Sequence, residues 1–265
     1  MRKMVLVFGT VMACLTQGAY AGPIALLSHR ATYDMNLASS EQGSGVVGAH
    51  GTMTYEFTDS CDGWVTDNRF AVTYAYAEGA QVVSTTEFIT WESKDGLKYR
   101  FRMRSTRDGE ISEDIEGTAQ LKSRGEAGLA RFTRPEEASI PLPKGTVFPT
   151  EHTRHLMDGA AKGATNVRRV VFDGSDVQGA FDVNALIGVS RRLPAADEFT
   201  QQLDGPSWPM RLAFFNLKGD EPEPDFEMSA EYHANGVAQS IVQRFHNFSL
   251  IGRMTSIESL PKPSC

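Results

Sequence analysis

The sequence predicts a mainly β protein, built as one continuous antiparallel sheet with few helices. Three observations carry this. Apolar and polar residues alternate with period two through most of the chain. Short glycine-bearing turn signals separate the alternating runs at even spacing. No composition break, internal repeat or low-complexity tract divides the chain, so 22–265 reads as one β unit.

In chain order, the first run carries Tyr33, Met35 and Leu37, and the second Met53, Tyr55 and Phe57. Phe70, Val72, Tyr74 and Tyr76 form a third. Val83, Thr85, Glu87 and Ile89 mark a weaker fourth ending near Trp91, and Tyr99, Phe101 and Met103 a fifth. Glu78-Gly79, Lys94-Asp95-Gly96 and Arg107-Asp108-Gly109 supply turns. Such a meander has one buried and one wet face. Ile140–Pro149 is excluded from any central strand because proline removes ladder donors. Thr150 reads as the cap of a helix over Glu151–Ala161, with Gly163 ending it. Val167–Phe172 returns to strand, and Asp182–Val189 reads as a second short helix. Met210–Leu217 is a strand followed by the acidic proline turn Gly219–Asp225. Phe226, Met228, Ala230 and Tyr232 alternate up to Asn235-Gly236, a strong hairpin signal. A return strand runs to Phe245, and Phe248–Leu260 closes the sheet.

The leader bounds the compartment. Arg2 and Lys3, the apolar run Met4–Leu15 and Ala19-Tyr20-Ala21 have the three parts of a cleaved secretory signal over 1–21. Val11-Met12-Ala13-Cys14 loosely resembles a lipobox, which leaves a lipoprotein signal as an alternative. The apolar run is shorter than the roughly 20 residues a spanning helix needs. Cleavage after Ala21 removes Cys14 and leaves Cys61 and Cys265 in an oxidising compartment, where a disulfide is the default expectation. Two unrelated buried thiols are the other reading. The formal charge is −7, and no lysine and arginine block suits a nucleic-acid backbone. Arg100, Arg102 and Arg104 alternate along a strand and read as a solvated face.

Motifs for chemistry are weak. Gly43-Ser44-Gly45-Val46-Val47-Gly48 matches a dinucleotide fingerprint in letters. A strand rather than a helix follows it, so no helix N-terminus meets a pyrophosphate, and the segment reads as a hairpin loop. His152, His155 and Asp158 lie at spacing three and three on the predicted helix, so the two histidines could share a face and a metal, yet no third ligand is identifiable, and they read as surface or partly packed groups. His29, His50, His233 and His246 show no ligand spacing. Glu110, Glu113, Asp114 and Glu116 crowd a polar stretch that reads as solvated. No nucleophile elbow or metalloprotease motif is present, so no catalytic, cofactor-binding or metal residue is assigned. Strand aromatics could pack a core or line a cavity for an apolar ligand.

Cys61-Asp62-Gly63-Trp64, Trp91-Glu92-Ser93-Lys94-Asp95-Gly96, Leu142–Thr150, Ser207-Trp208-Pro209-Met210-Arg211 and the ending Leu260–Cys265 together resemble the EipB-like cell-envelope integrity family across the chain after the leader. The resemblance implies a periplasmic protein of a Gram-negative bacterium, folded as a spiral sheet or incomplete β-barrel with a few peripheral helices. It implies a Cys61–Cys265 disulfide, a role in envelope integrity under stress, and a periplasmic tetratricopeptide-repeat protein as a class of partner. It carries no catalytic residues. The leading expectation is therefore a non-enzymatic periplasmic protein that works through protein–protein interaction, not membrane-spanning and with no nucleic-acid partner. The alternative is a carrier or sensor of lipid or another apolar envelope ligand, held in the concave face.

Overall fold

A computed structural model describes residues 25–192, 200–203, 205–218 and 222–265. The expected leader 1–21 and the mature start at Gly22 lie outside the described residues. Sixteen strands form one sheet. The first eight are β1 (His29–Ser40), β2 (Val46–Asp59), β3 (Gly63–Tyr76), β4 (Gln81–Ser93), β5 (Lys98–Arg107), β6 (Glu110–Leu121), β7 (Gly128–Arg134) and β8 (Ala138–Leu142). Then follow β9 (Thr146–Val147), the helix α1 (Pro149–Ala161), β10 (Asn166–Val171), β11 (Phe181–Ile187), β12 (Arg191–Arg192), β13 (Pro206–Asn216), β14 (Phe226–His233), β15 (Ala238–Arg244) and β16 (Phe248–Ser259). A 3₁₀ turn spans Thr200–Leu203. The spatial order is β8-β7-β6-β5-β4-β3-β2-β1-β16-β15-β14-β13-β11-β10-β9, with β12 beside β13. Every pairing is antiparallel except β9 with β10.

The two edge strands, β8 and β9, are neighbours in sequence. The chain therefore steps from one edge of the sheet to the other through residues 143–145. The sheet curls into a nearly closed barrel with an unsealed seam there. Ile140 and Leu142 of β8 pack with Phe148, Phe172 and Ala180, so side chains rather than ladder bonds cover the seam. Pro141 sits in β8, consistent with its exclusion from central strands.

Alternation decides which side chains enter the lumen. Tyr55, Asn68, Phe88, Met103 and Ile115 stand in register across β2 to β6 and face inward. On the outer face Thr54, Arg69, Glu87, Arg104 and Asp114 align across the same strands. Arg69 meets Glu87 at 2.9 Å and Arg104 meets Asp114 at 3.0 Å, half-exposed pairs worth about 0–1 kcal/mol each.

Three sequence expectations are corrected. Asp182–Val189 is not a helix; Phe181, Val183, Ala185 and Ile187 alternate inward along β11, which pairs on both sides. The fourth run is a strand, but its phase is inverted. Val83 and Ile89 are exposed, whereas Phe88, Thr90 and Glu92 point inward. The polar stretch around Glu110–Glu116 is solvated as expected, on strand β6, whose later residues Ile115, Ala119 and Leu121 are buried. Finally, Thr150 does not cap the helix. The N-cap position is Phe148, which makes no side-chain cap.

Candidate functional site

The concave side of the sheet is occupied by α1 and by the connection 172–180. Leu156, Met157 and Ala160 of α1 pack against inward residues of β11 and β13, among them Val183, Ala185, Met210 and Leu212. Pro149 at the first turn suits a helix start, since its missing N–H is an orphan anyway. The remaining orphan amides reach across the lumen. Glu92 on β4 accepts from Thr150 N through Oε2 at 2.6 Å and from Glu151 N through Oε1 at 2.9 Å. One buried carboxylate on the opposite wall thus closes the helix N-terminus, with the charge sign the helix dipole favours. Burial pushes the Glu92 carboxyl up to about 7, against the pull of those two amides.

Aromatic packing fixes the start of the helix. Phe148 stacks on Tyr99 at 5.0 Å, and the Tyr99 hydroxyl donates to the Asp173 carbonyl at 2.8 Å. Phe172 lies edge-on to Phe101 at 5.5 Å. Gly174 follows with φ +76°. A Cβ there would sit 2.4 Å from the Phe101 ring, so glycine is what lets the segment press into the lumen.

What remains beneath α1 is a cavity of about 290 Å³. Phe57, Phe88 and Met228 give it an apolar wall, and His29, Asn68 and Thr90 are its main polar groups. Leu26, Thr153 and Gly236 border it, and Leu27 N donates to Asn235 O at 3.0 Å, tying the N-terminal segment to the β14–β15 turn. His29 Nδ1 lies 2.7 Å from Leu27 O, and burial pulls its pKa down, so the ring is a neutral donor there.

The structure disperses the other sequence candidates. His152 is buried on α1 rather than at the surface, and burial pulls its pKa to about 4. His155 is half-exposed beside Glu151, and Asp158 pairs with Lys162 at 2.6 Å. Among the described residues no group of three His, Cys, Asp or Glu could hold a metal. Gly43 and Gly45 take positive φ in the β1–β2 turn, and no helix follows. Arg100, Arg102 and Arg104 face outward, Arg100 over the Trp91 ring at 4.2 Å. Asp114 accepts from Arg104 and Arg134. His233 is buried, with Nε2 3.0 Å from Gln239 Oε1. His50 and His246 are exposed.

Cys61, in the β2–β3 turn, and Cys265 are placed with their sulfurs 2.07 Å apart across a separation of 204 residues. Beside them Lys94 binds Asp59 at 2.7 Å and lies over the Trp64 ring.

Sequence reasoning missed Glu92 as a functional side chain. Its partners are backbone amides, Thr150 N and Glu151 N, which no side-chain pattern marks.

A family model described as EipB-like matches residues 20–261. The chain is 29% identical over 245 residues to the cell envelope integrity protein EipB of Brucella abortus (strain 2308), covering 90% of this chain and 86% of that one. It also superposes on the crystal structure of a β-barrel-like protein of a domain of unknown function, DUF1849, from Brucella abortus. That likeness has a TM-score of 0.81 and 27% identity, and covers 90% of this chain and 100% of the other.

Proposed function

Since the chain belongs to the EipB-like family, we propose that it maintains cell-envelope integrity as a non-enzymatic periplasmic protein acting through protein–protein contacts. The observation that carries this reading is the helix inside the sheet. Helix α1 and residues 172–180 occupy the concave side and leave beneath the helix a cavity of about 290 Å³, the bottom of the range for drug-sized ligand sites. The relative's name, cell envelope integrity protein, supplies the process. Export by the 1–21 leader and the Cys61–Cys265 bond belong to the same proposal, as does the tetratricopeptide-repeat class of partner.

A second reading, a carrier or sensor of a small apolar ligand, rests on the cavity wall of Phe57, Phe88 and Met228. Rescue of a deletion strain separates the two. Variants that fill the cavity, such as Thr66→Trp and Met228→Trp, restore detergent resistance if the protein works through its surface. If every folded filling variant fails to rescue while the unaltered chain succeeds, the carrier reading replaces the first.

A further inference from the structure

The end of the barrel away from the disulfide is built differently from the rest. Six aromatic rings form an unbroken chain around its inner rim. Tyr74 meets Phe248 at 5.7 Å and Phe248 meets Phe245 at 4.9 Å. Phe245 meets Phe226 at 5.9 Å, Phe226 meets Phe214 at 5.6 Å and Phe214 meets Phe181 at 6.1 Å. The rings come from β3, β16, the β15–β16 turn, β14, β13 and β11. They are not a closed core, for Phe245 is 38% exposed and the neighbouring Val177 and Leu217 are 43% and 44% exposed. Together with Met103 and Ile115 across the opening, Phe181, Phe226, Phe245 and Val177 form the apolar part of a cavity of about 920 Å³, whose charged lining is Glu113, Asp176, Glu223 and Asp225 against Lys218. Apolar surface of this kind on a folded chain marks a binding surface.

The charges around it identify what would bind. In an antiparallel meander, successive connections alternate between the two ends of the barrel. At the aromatic end lie 41–45, 77–80, 108–109, 135–137, 172–180, 217–218, 222–225 and 245–247. Their carboxylates include Glu41, Glu78, Asp108, Asp176, Glu223 and Asp225, and the one lysine or arginine among their described residues is Lys218. At the other end the described residues of the connections carry Lys94, Lys122, Arg124, Lys144, Lys162 and Lys262 against Asp62, Asp95 and Glu126. The described connections are thus polarised along the axis, and the aromatic opening sits at their negative end.

We propose that the aromatic opening formed by Phe181, Phe226 and Phe245 docks a cationic amphipathic segment of a partner protein. The apolar face of the segment would enter the opening, and its lysines or arginines would meet the carboxylate rim. Helix-in-groove recognition works this way, with a few aromatic anchors giving most of the affinity and rim charge steering approach. Cationic heads can also rest on exposed ring faces. The inference rests on the protein-contact reading above and names the surface and chemistry it would use.

The test is fluorescence anisotropy of the mature chain with two labelled helical peptides, one of leucine and lysine and one of leucine and glutamate. The lysine peptide should bind, with affinity falling as salt rises, and the glutamate peptide should not. Glu223→Lys with Asp225→Lys should weaken binding at least about tenfold, as should Phe226→Ala with Phe245→Ala. Asp158→Lys, on α1 at the other end, should leave it unchanged. The charge reversal lies on an exposed connection, so it remains informative if the phenylalanine variant misfolds. Equal binding of both peptides, indifference to the rim variants, or binding to anionic lipid vesicles without peptide binding overturns the proposal. Rescue by cavity-filled variants alongside absent peptide binding would reject this surface and leave the protein-contact reading standing.

Discussion

Replacing Glu92 by glutamine tests how α1 is held in the lumen. The carboxylate is buried and accepts two helix-terminal amides. Its folded pKa of about 7 lies above the free value of 4.5. A carboxyl with a raised folded value binds protons more readily when folded. Its stabilising contribution is therefore fully present below 4.5 and is lost as pH rises through 7. Between pH 8 and pH 5 the shift is worth about 2–3 kcal/mol at 1.36 kcal/mol per unit. Glutamine keeps one acceptor oxygen, cannot ionise, and leaves one amide short at a cost of about 1–3 kcal/mol. Urea unfolding of both proteins at pH 5 and pH 8 should show the wild type gaining about 2–3 kcal/mol on the variant at the lower pH. His29 and His152, whose values burial lowers, also contribute to the pH dependence, but they are common to both chains and cancel in the difference. Parallel stability-versus-pH curves would refute the claim that a buried, titrating Glu92 anchors the helix.

His152 has the opposite slope. Its folded value of about 4 lies below the usual 6.5, so it withdraws stability as pH falls from 6.5 towards 4, and His152→Leu should flatten that acid limb in the same urea series; an unchanged limb would place the loss elsewhere. Cys61→Ser or Cys265→Ser opens a loop of 204 residues, worth about 5 kcal/mol in the chain-entropy account, so thermal melts should show a large drop matching that of reduced wild type. A loss below about 1 kcal/mol would mean that β16 is held by packing alone. Gly174→Ala meets both a positive φ and the Phe101 ring and should cost about 1–3 kcal/mol in urea unfolding; a neutral result would show that residues 172–180 do not press into the core.

The sheet was legible wherever the inward face is also the apolar one. Tyr33 and Met35 on β1, Met53 and Phe57 on β2, and Tyr99 and Phe101 on β5 are apolar and buried, so alternation gives both strand and phase. On β4 the inward set is Thr86, Phe88, Thr90 and Glu92 while Val83 and Ile89 face out, and hydrophobicity reports the wrong face. On β11 the outward Leu186 fills a gap in the alternation and imitates a helical stripe. The first half of β6 has no buried side at all until Ile115, so only its pairing with β5 makes it a strand. At the site, the cysteine pair followed from counting thiols. Glu92 did not, because the groups it serves are backbone amides 58 and 59 residues away, which leave no trace in side-chain pattern.

The size of the sheet explains why the lumen holds a helix. Eight strands close on a space that side chains fill, whereas closed barrels of about sixteen strands enclose a channel. The described residues hold fifteen strands in series around the sheet, with β12 beside β13, and the chain puts its own backbone into the excess space, as α1 and as residues 172–180. A helix brought into a dry interior carries unpaired N-terminal amides, which accounts for a carboxylate on the facing wall despite the cost of burying it. The same choice explains the seam. Because the inserted helix follows β9 directly, the sheet cannot also seal there. Its edges are instead made poor templates, β9 by being two residues long and β8 by carrying Pro141. With the edges blunted, the aromatic opening offers another molecule an exposed apolar surface that an edge strand does not, and that is why the proposed partner segment is placed there and not along an edge strand.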